Sequence, residues 1–232
     1  MPTALVIGAR NFGFAIIERL LADGFTVVGA ARSPETLDKV RGAGADALEI
    51  DITDQASVLA GLQEVAARHG RVDLAVNAAS PYGGSREGPF GGGPLAEAAP
   101  SGFDDWSAMP ARGAFAFLSA CARFLREQGG PAHVVQVTGG SARRGIAGRG
   151  LWAAGAFAVR ALTQAAALEL REHSIHVALL IVDARIDRTG SDDLETADTA
   201  SLAGAVAYLA SQSPRAMTHE LQVTPALDNW TP

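Results

Sequence analysis

The sequence predicts an α/β fold, a parallel sheet covered by helices on both faces. Three observations carry this. Apolar runs of strand length alternate with helically spaced segments from the first residues onward. Cap and turn signals such as Ser33-Pro34-Glu35, Asp23-Gly24 and Gly70 fall between them. The 232 residues suit one core, so residues 1–232 are expected to form a single domain.

The first strand is expected at residues 3–8, ending in a glycine turn. Residues 12–22 follow with helical spacing, placing Phe12, Ala15, Ile16 and Leu20 on one side. A second strand is read at 25–30. Ser33 then caps a helix with Pro34 in its first turn. Strands at 47–50 and 72–76 flank a helix over 54–69 that stops at Gly70. Residues 80–102 break the rhythm with seven glycines and four prolines. They read either as a surface loop or as a lid over the strand ends. A helix near 103–128 contains Pro110 in its first part. Strands at 133–138 and 175–182 bracket an alanine-rich helix over 150–173. A helix near 202–211 and a strand at 220–224 finish the chain.

Composition narrows the function. A net charge of −6 with no arginine-rich run argues against non-specific nucleic-acid binding. Cys121 is the one cysteine, so neither an internal disulfide nor a multi-cysteine metal site is expected. The five histidines lack metal-ligand spacing with an acid, and no metal is expected. The longest continuous apolar run near the C-terminus, 177–182, is strand length. No membrane association and a cytoplasmic location are therefore expected.

The turn Gly8-Ala9-Arg10-Asn11-Phe12-Gly13 lies between a strand and a helix. Glycine there lets the backbone approach a pyrophosphate, and the helix N-terminus offers N–H donors. Asp51 and Ile52 follow the third strand, where the carboxylate either accepts from an adenine amino group or caps the next helix. Asn77, Ala78 and Ala79 follow the fourth strand and leave room for a flat ligand. The second strand ends in Ala31 and Arg32, with no acid to hold a ribose 2′-hydroxyl. Arg32, with Arg10, suits a 2′-phosphate instead, unless it is only a surface charge. NADP(H) is thus preferred over NAD(H).

These motifs resemble the short-chain dehydrogenase/reductase family. The likeness extends to the helix start Phe103-Asp104-Asp105-Trp106, to Ala161-Leu162-Thr163 and to Ala167-Leu168-Glu169-Leu170. The end, Arg215-Ala216-Met217-Thr218-His219-Glu220-Leu221, looks like an atypical bacterial branch. The resemblance implies a Rossmann-type sheet of about seven strands, a nicotinamide cofactor and a homodimer or homotetramer. It also implies a catalytic asparagine, serine, tyrosine and lysine. Carried over residue by residue, those positions hold Pro110, Gly139, Trp152 and Ala156. No shift of register restores the pair, because Lys39 is the only lysine and neither Tyr82 nor Tyr208 has a lysine four residues on.

Indole donates a hydrogen bond but is no acid near neutral pH, so Trp152 cannot replace tyrosine. It either closes the pocket or forms a stacking wall for a flat substrate or the nicotinamide. Ser80, Gly139, Gly140 and Trp152 are expected to border the substrate. Tyr82, Asp183, Thr138 and Ser141 are the candidate catalytic groups, each with a bland structural alternative. Arg143, Arg144, Arg149 and Arg185 are candidates for an anionic substrate. The expected function is an oxidoreductase acting on an unknown carbonyl or alcohol with a non-standard proton source. The alternatives are a catalytically silent cofactor-binding or partner protein and a lyase, isomerase or cyclase reusing the pocket.

Overall fold

A strand buried on both faces reads as a nearly continuous apolar run. All five residues of β1 (Thr3–Ile7) and all eight of the later strand Ile175–Val182 are buried. A computed structural model describes residues 1–80, 88–187 and 189–228. In it β1, β2 (Thr26–Ala31), β3 (Asp46–Glu49), β4 (Leu74–Asn77), β5 (Ala132–Gly139), β6 (Ile175–Val182) and β9 (Glu220–Val223) form one sheet. Its order is β3-β2-β1-β4-β5-β6-β9, and every pair is parallel. β7 (Arg185–Ile186) and β8 (Thr196–Ala197) make a separate short pair. The order runs outward from β1 and β4 in opposite directions. A crevice therefore opens above their C-terminal ends.

Helices cover both faces. α1 (Phe12–Ala22) and α7 (Thr199–Ala210) pack Ile16, Ile17, Leu20, Leu202, Val206 and Leu209 on one side, joined by Val40 of α2 (Pro34–Gly42). α3 (Gln55–His69), α5 (Met109–Gln128) and α6 (Gly150–Leu170) pack Leu62, Val65, Phe117, Leu125 and Leu170 on the other. Cys121 lies wholly inside this second core, where burial pushes its thiol pKa well up. The caps act as expected: Ser33 Oγ accepts from Thr36 N–H, and Asp54 accepts from Ala56 N–H.

Pro110 brings no N–H to the helix ladder. The chain adapts with a short helix α4 (Pro100–Phe103) and a π turn (Asp104–Ala108) ahead of α5, in which Met109 N–H donates five residues back to Asp104 O. Gly155 of α6 presses on the Trp106 carbonyl there, where a Cβ would stand 2.6 Å away. Within the glycine-rich stretch, residues 88–102 hold a short 3₁₀ turn at Phe90–Gly92, and Gly93 bridges to Arg149. By length and composition Gly150–His173 is apolar enough to cross a membrane, with a mean hydropathy of 1.3. A search for continuous apolar runs misses it, because Arg160, Gln164 and Glu169 interrupt it. Here it packs against α5 and β6.

Three histidines form a row across β5, β6 and the start of β9. The rings of His133 and His176 are 5.3 Å apart and those of His176 and His219 are 5.8 Å apart, edge to face. His176 Nε2 lies 2.9 Å from the Thr218 carbonyl, so it carries the proton and donates. Its Nδ1 then accepts from His133 Nδ1–H at 3.1 Å. Burial is the main cause that lowers the pKa of both His133 and His176; the His176 charge adds to it at His133 against Asp73, and at His176 the Thr218 carbonyl opposes it while His219 adds to it. Their neutral forms stabilise the fold fully above the unfolded value of 6.5, and that stability is lost as pH falls toward the lowered folded values. The urea midpoint is expected to drop between about pH 8 and pH 5.5, and to drop less in His133→Gln.

Candidate active site and nucleotide cleft

The cleft begins where β1 ends. Gly8 has φ +91°, and its N–H donates to Ala30 O at 2.9 Å. A Cβ at Gly8 would collide with the Ala79 backbone, and one at Gly13 would collide with the Gly8 carbonyl. Both positions thus need glycine, and α1 starts close against the end of β4. Asn11 makes no side-chain cap bond, leaving the first N–H groups of α1 toward the cleft.

Beyond the turn lies a cleft of about 850 Å³. Gly8, Arg10, Asn11, Phe12 and Arg32 line one end. Phe12 is buried at the rim and does not fill the space. Asn77 is fully enclosed, donating from Nδ2 to Gln136 Oε1 at 3.0 Å and accepting Ala79 N–H at 3.0 Å. This pins the floor made by Ala78, Ala79 and Ser80.

Ile50 and Ile52 line the cleft, whereas the Asp51 carboxylate accepts from Thr53 N–H and Oγ1–H at 2.9 and 2.8 Å. It pairs with Arg32 at 3.7 Å, with the two side chains 40% and 68% exposed. Burial acts to raise its pKa, but the Thr53 bonds and the Arg32 charge outweigh it and hold the carboxyl below its usual range.

At the other end Pro110, Gly139, Trp152 and Ala156 line the same cleft. A Cβ at Gly139 would rest 3.6 Å from the Trp152 ring, an ordinary contact, so the indole lies across the space beside that strand end. Phe90, Trp106 and Trp152 form a cluster with centroids 5.0, 5.3 and 5.9 Å apart. Phe90, Asp105 and Trp106, together with Ser33 and Thr36 near the turn, also line the cleft beyond the expected set. The adjacent Asp105-Trp106 pair was the sequence signal for the first group.

Several candidates fall outside. Asp183 does not line the cleft; its carboxylate accepts from Arg144 Nη1 at 2.8 Å and Gln222 Nε2 at 3.1 Å. It occupies the space above Gly140, where any Cβ would collide with it. Gly140 and Ser141 are buried in the turn after β5 and do not reach the cleft either. Of the four candidate catalytic groups, Thr138 alone is found among the lining residues, and Tyr82 lies outside the described residues. Three of the four candidate arginines have partners elsewhere. Arg144 is paired with Asp183, Arg185 lies 3.8 Å from Glu195, and Arg149 sits over the Phe90 ring.

The family model for short chain dehydrogenases matches residues 2–185. The chain belongs to the short-chain dehydrogenase family. Within that family it is 31% identical over 179 residues to a sorbitol dehydrogenase from Cereibacter sphaeroides, covering 75% of this chain and 67% of that protein. A metagenomic short-chain oxidoreductase solved in complex with NADP superposes with a TM-score of 0.76 at 27% identity, over 98% of each chain. An actinorhodin polyketide ketoreductase solved with NADPH superposes with a TM-score of 0.80 at 25% identity, over 99% of this chain and 98% of that one.

The glycine turn of this short-chain dehydrogenase is open to test. Gly8→Ala is expected to cost roughly 3 kcal/mol or more, as strain and collision add. Gly24 has φ +85° with nothing near its Cβ, so Gly24→Ala measures strain alone, about 1–2 kcal/mol. Urea unfolding of both variants compares the two.

Proposed function

We propose that this chain binds NADP(H) in the cleft and moves hydride between it and an unsaturated small molecule. The carrying observation is the continuous cleft from the Gly8 turn, over the Asn77–Ala79 floor, to Gly139 and Trp152. It suits a dinucleotide laid across the switch point of the sheet, with its pyrophosphate at the start of α1. Gly8, Arg10, Asn11, Phe12 and Ala78 would border it directly. Gly13, Asp51 and Asn77 would act by shaping the turn, the Arg32 side chain and the floor.

The preference for NADP(H) rests on Arg32. No acid stands at Ala31, and the Arg32–Asp51 pair is exposed and therefore weak. A doubly charged 2′-phosphate would compete well for that guanidinium. The relatives solved with NADP and NADPH support this reading. A second reading, a silent cofactor-binding protein, draws on Pro110, Gly139, Trp152 and Ala156, none of which can pass a proton. Phe115 of α5 and Phe157 and Leu168 of α6 are large, apolar and exposed, which favours a homodimer or homotetramer. A cytoplasmic, membrane-free setting fits the packing of α6 on the sheet.

Calorimetry on ligand-free protein is expected to show NADPH binding more tightly than NADH. Arg32→Ala should reduce that preference at least about fivefold. Equal affinity for both cofactors would reject the assignment of Arg32. Light scattering at micromolar concentration is expected to give a multiple of 23.9 kDa.

A further inference from the structure

Reducing a neutral ketone by hydride creates charge. The oxygen becomes an alkoxide while the nicotinamide becomes cationic, and a positioned acid normally supplies a proton as this happens. Among the described residues the cleft is lined by no tyrosine, histidine, lysine or cysteine. Its lining chemistry is instead polarised. Three charged side chains line it among the described residues: Arg10 and Arg32 at the turn end, and Asp105 at the other. Asp105 precedes Trp106 in the π turn, and the two line the cleft together with Trp152 and Phe90. Asp105 makes no ion pair among the described residues.

Indole rings attract cations more strongly than any other side-chain ring, and a nearby carboxylate adds to the attraction. Two indoles, a phenyl ring and one carboxylate at one end of a cleft are the chemistry that recognises a flat organic cation. This end already shows the affinity, since the Arg149 guanidinium stands 5.3 Å from the Phe90 centroid without itself lining the cleft.

We infer that the aromatic end of the cleft takes a flat organic cation, and that the hydride acceptor is the carbon of an iminium or N-alkylated heteroaromatic ring. This deepens the NADP(H) reading and rests on it. The bookkeeping of the reaction then matches the residues present. Hydride leaves C4 of the reduced nicotinamide and forms a C–H bond at the iminium carbon. The C=N π pair returns to nitrogen as a lone pair, giving a neutral amine. The positive charge passes from the acceptor to the nicotinamide ring, and no proton enters or leaves. Pro110, Gly139, Trp152 and Ala156 are then no handicap, because the step they cannot assist does not occur. Trp152 and Asp105 are the proposed binding residues.

The first probe is N-methylquinolinium against its uncharged isostere 1-methylnaphthalene, titrated into cofactor-free protein by indole fluorescence. The cation is expected to bind at least about tenfold more tightly. Asp105→Asn should lower that ratio several-fold, and Trp152→Phe should weaken the cation with the fold intact by circular dichroism. Equal affinity for the two probes, or an Asp105→Asn ratio unchanged from the parent, overturns the inference. The second probe is NADPH oxidation with N-methyl-3,4-dihydroisoquinolinium against 1-tetralone. The iminium is expected to react on the order of 10²-fold faster or more, with little change between about pH 6 and pH 9. Equal rates overturn the acceptor assignment. Absence of NADPH binding by calorimetry overturns the transfer step and the underlying cofactor reading together. The cofactor-free titration still decides the cation site.

Discussion

The cleft depends on one close approach between two backbones. Gly8 turns over the end of β1 and meets Ala79 after β4 with no side chain between them. Gly13, in the first turn of α1, repeats the condition against the Gly8 carbonyl. Because both residues lack a Cβ, α1 can begin directly above the point where the strand order reverses. Asn77 fixes the opposing segment through Gln136 and Ala79. A turn held this tightly tolerates Phe12 and Phe14 around it. The first packs at the rim, and the second carries the Lys39 ammonium 3.7 Å above its ring.

Much of the fold was legible because the sheet interior writes itself plainly. β1 and β6 are nearly continuous apolar runs, broken only by Thr3 and His176, and Asp54, Ser33 and Gly70 stop or start helices where their chemistry requires. Strand ends moved by a residue or two, as at β4, where polar Asn77 is drawn into the sheet by its bond to Gln136 on β5. The π turn was not legible. Pro110 signals an interruption but not the form it takes, a π turn whose Trp106 carbonyl meets Gly155 far along the chain.

The site divided along the same line. Residues whose place follows from backbone position, such as Gly8, Asn77, Gly139 and Trp152, line the cleft. Residues singled out by side-chain chemistry alone are harder to place. Asp183 follows a strand end facing the cleft, yet Arg144 and Gln222 draw it aside, over Gly140. Partners separated by 39 residues cannot be read from local spacing. The same holds for the aromatic cluster, whose members come from the glycine-rich stretch, the π turn and α6.

The scarcity of nucleophiles has a practical side. Cys121 is sealed in the core, and the single lysine lies on α2, resting on Phe14. A cysteine introduced at the cleft mouth would face no competing accessible thiol. Apart from the α-amino group, an amine-reactive reagent would find one lysine, away from the aromatic end. The native chain is thus nearly blank to covalent labelling, and a single reporter dye or cross-linker placed by design would speak for one place alone.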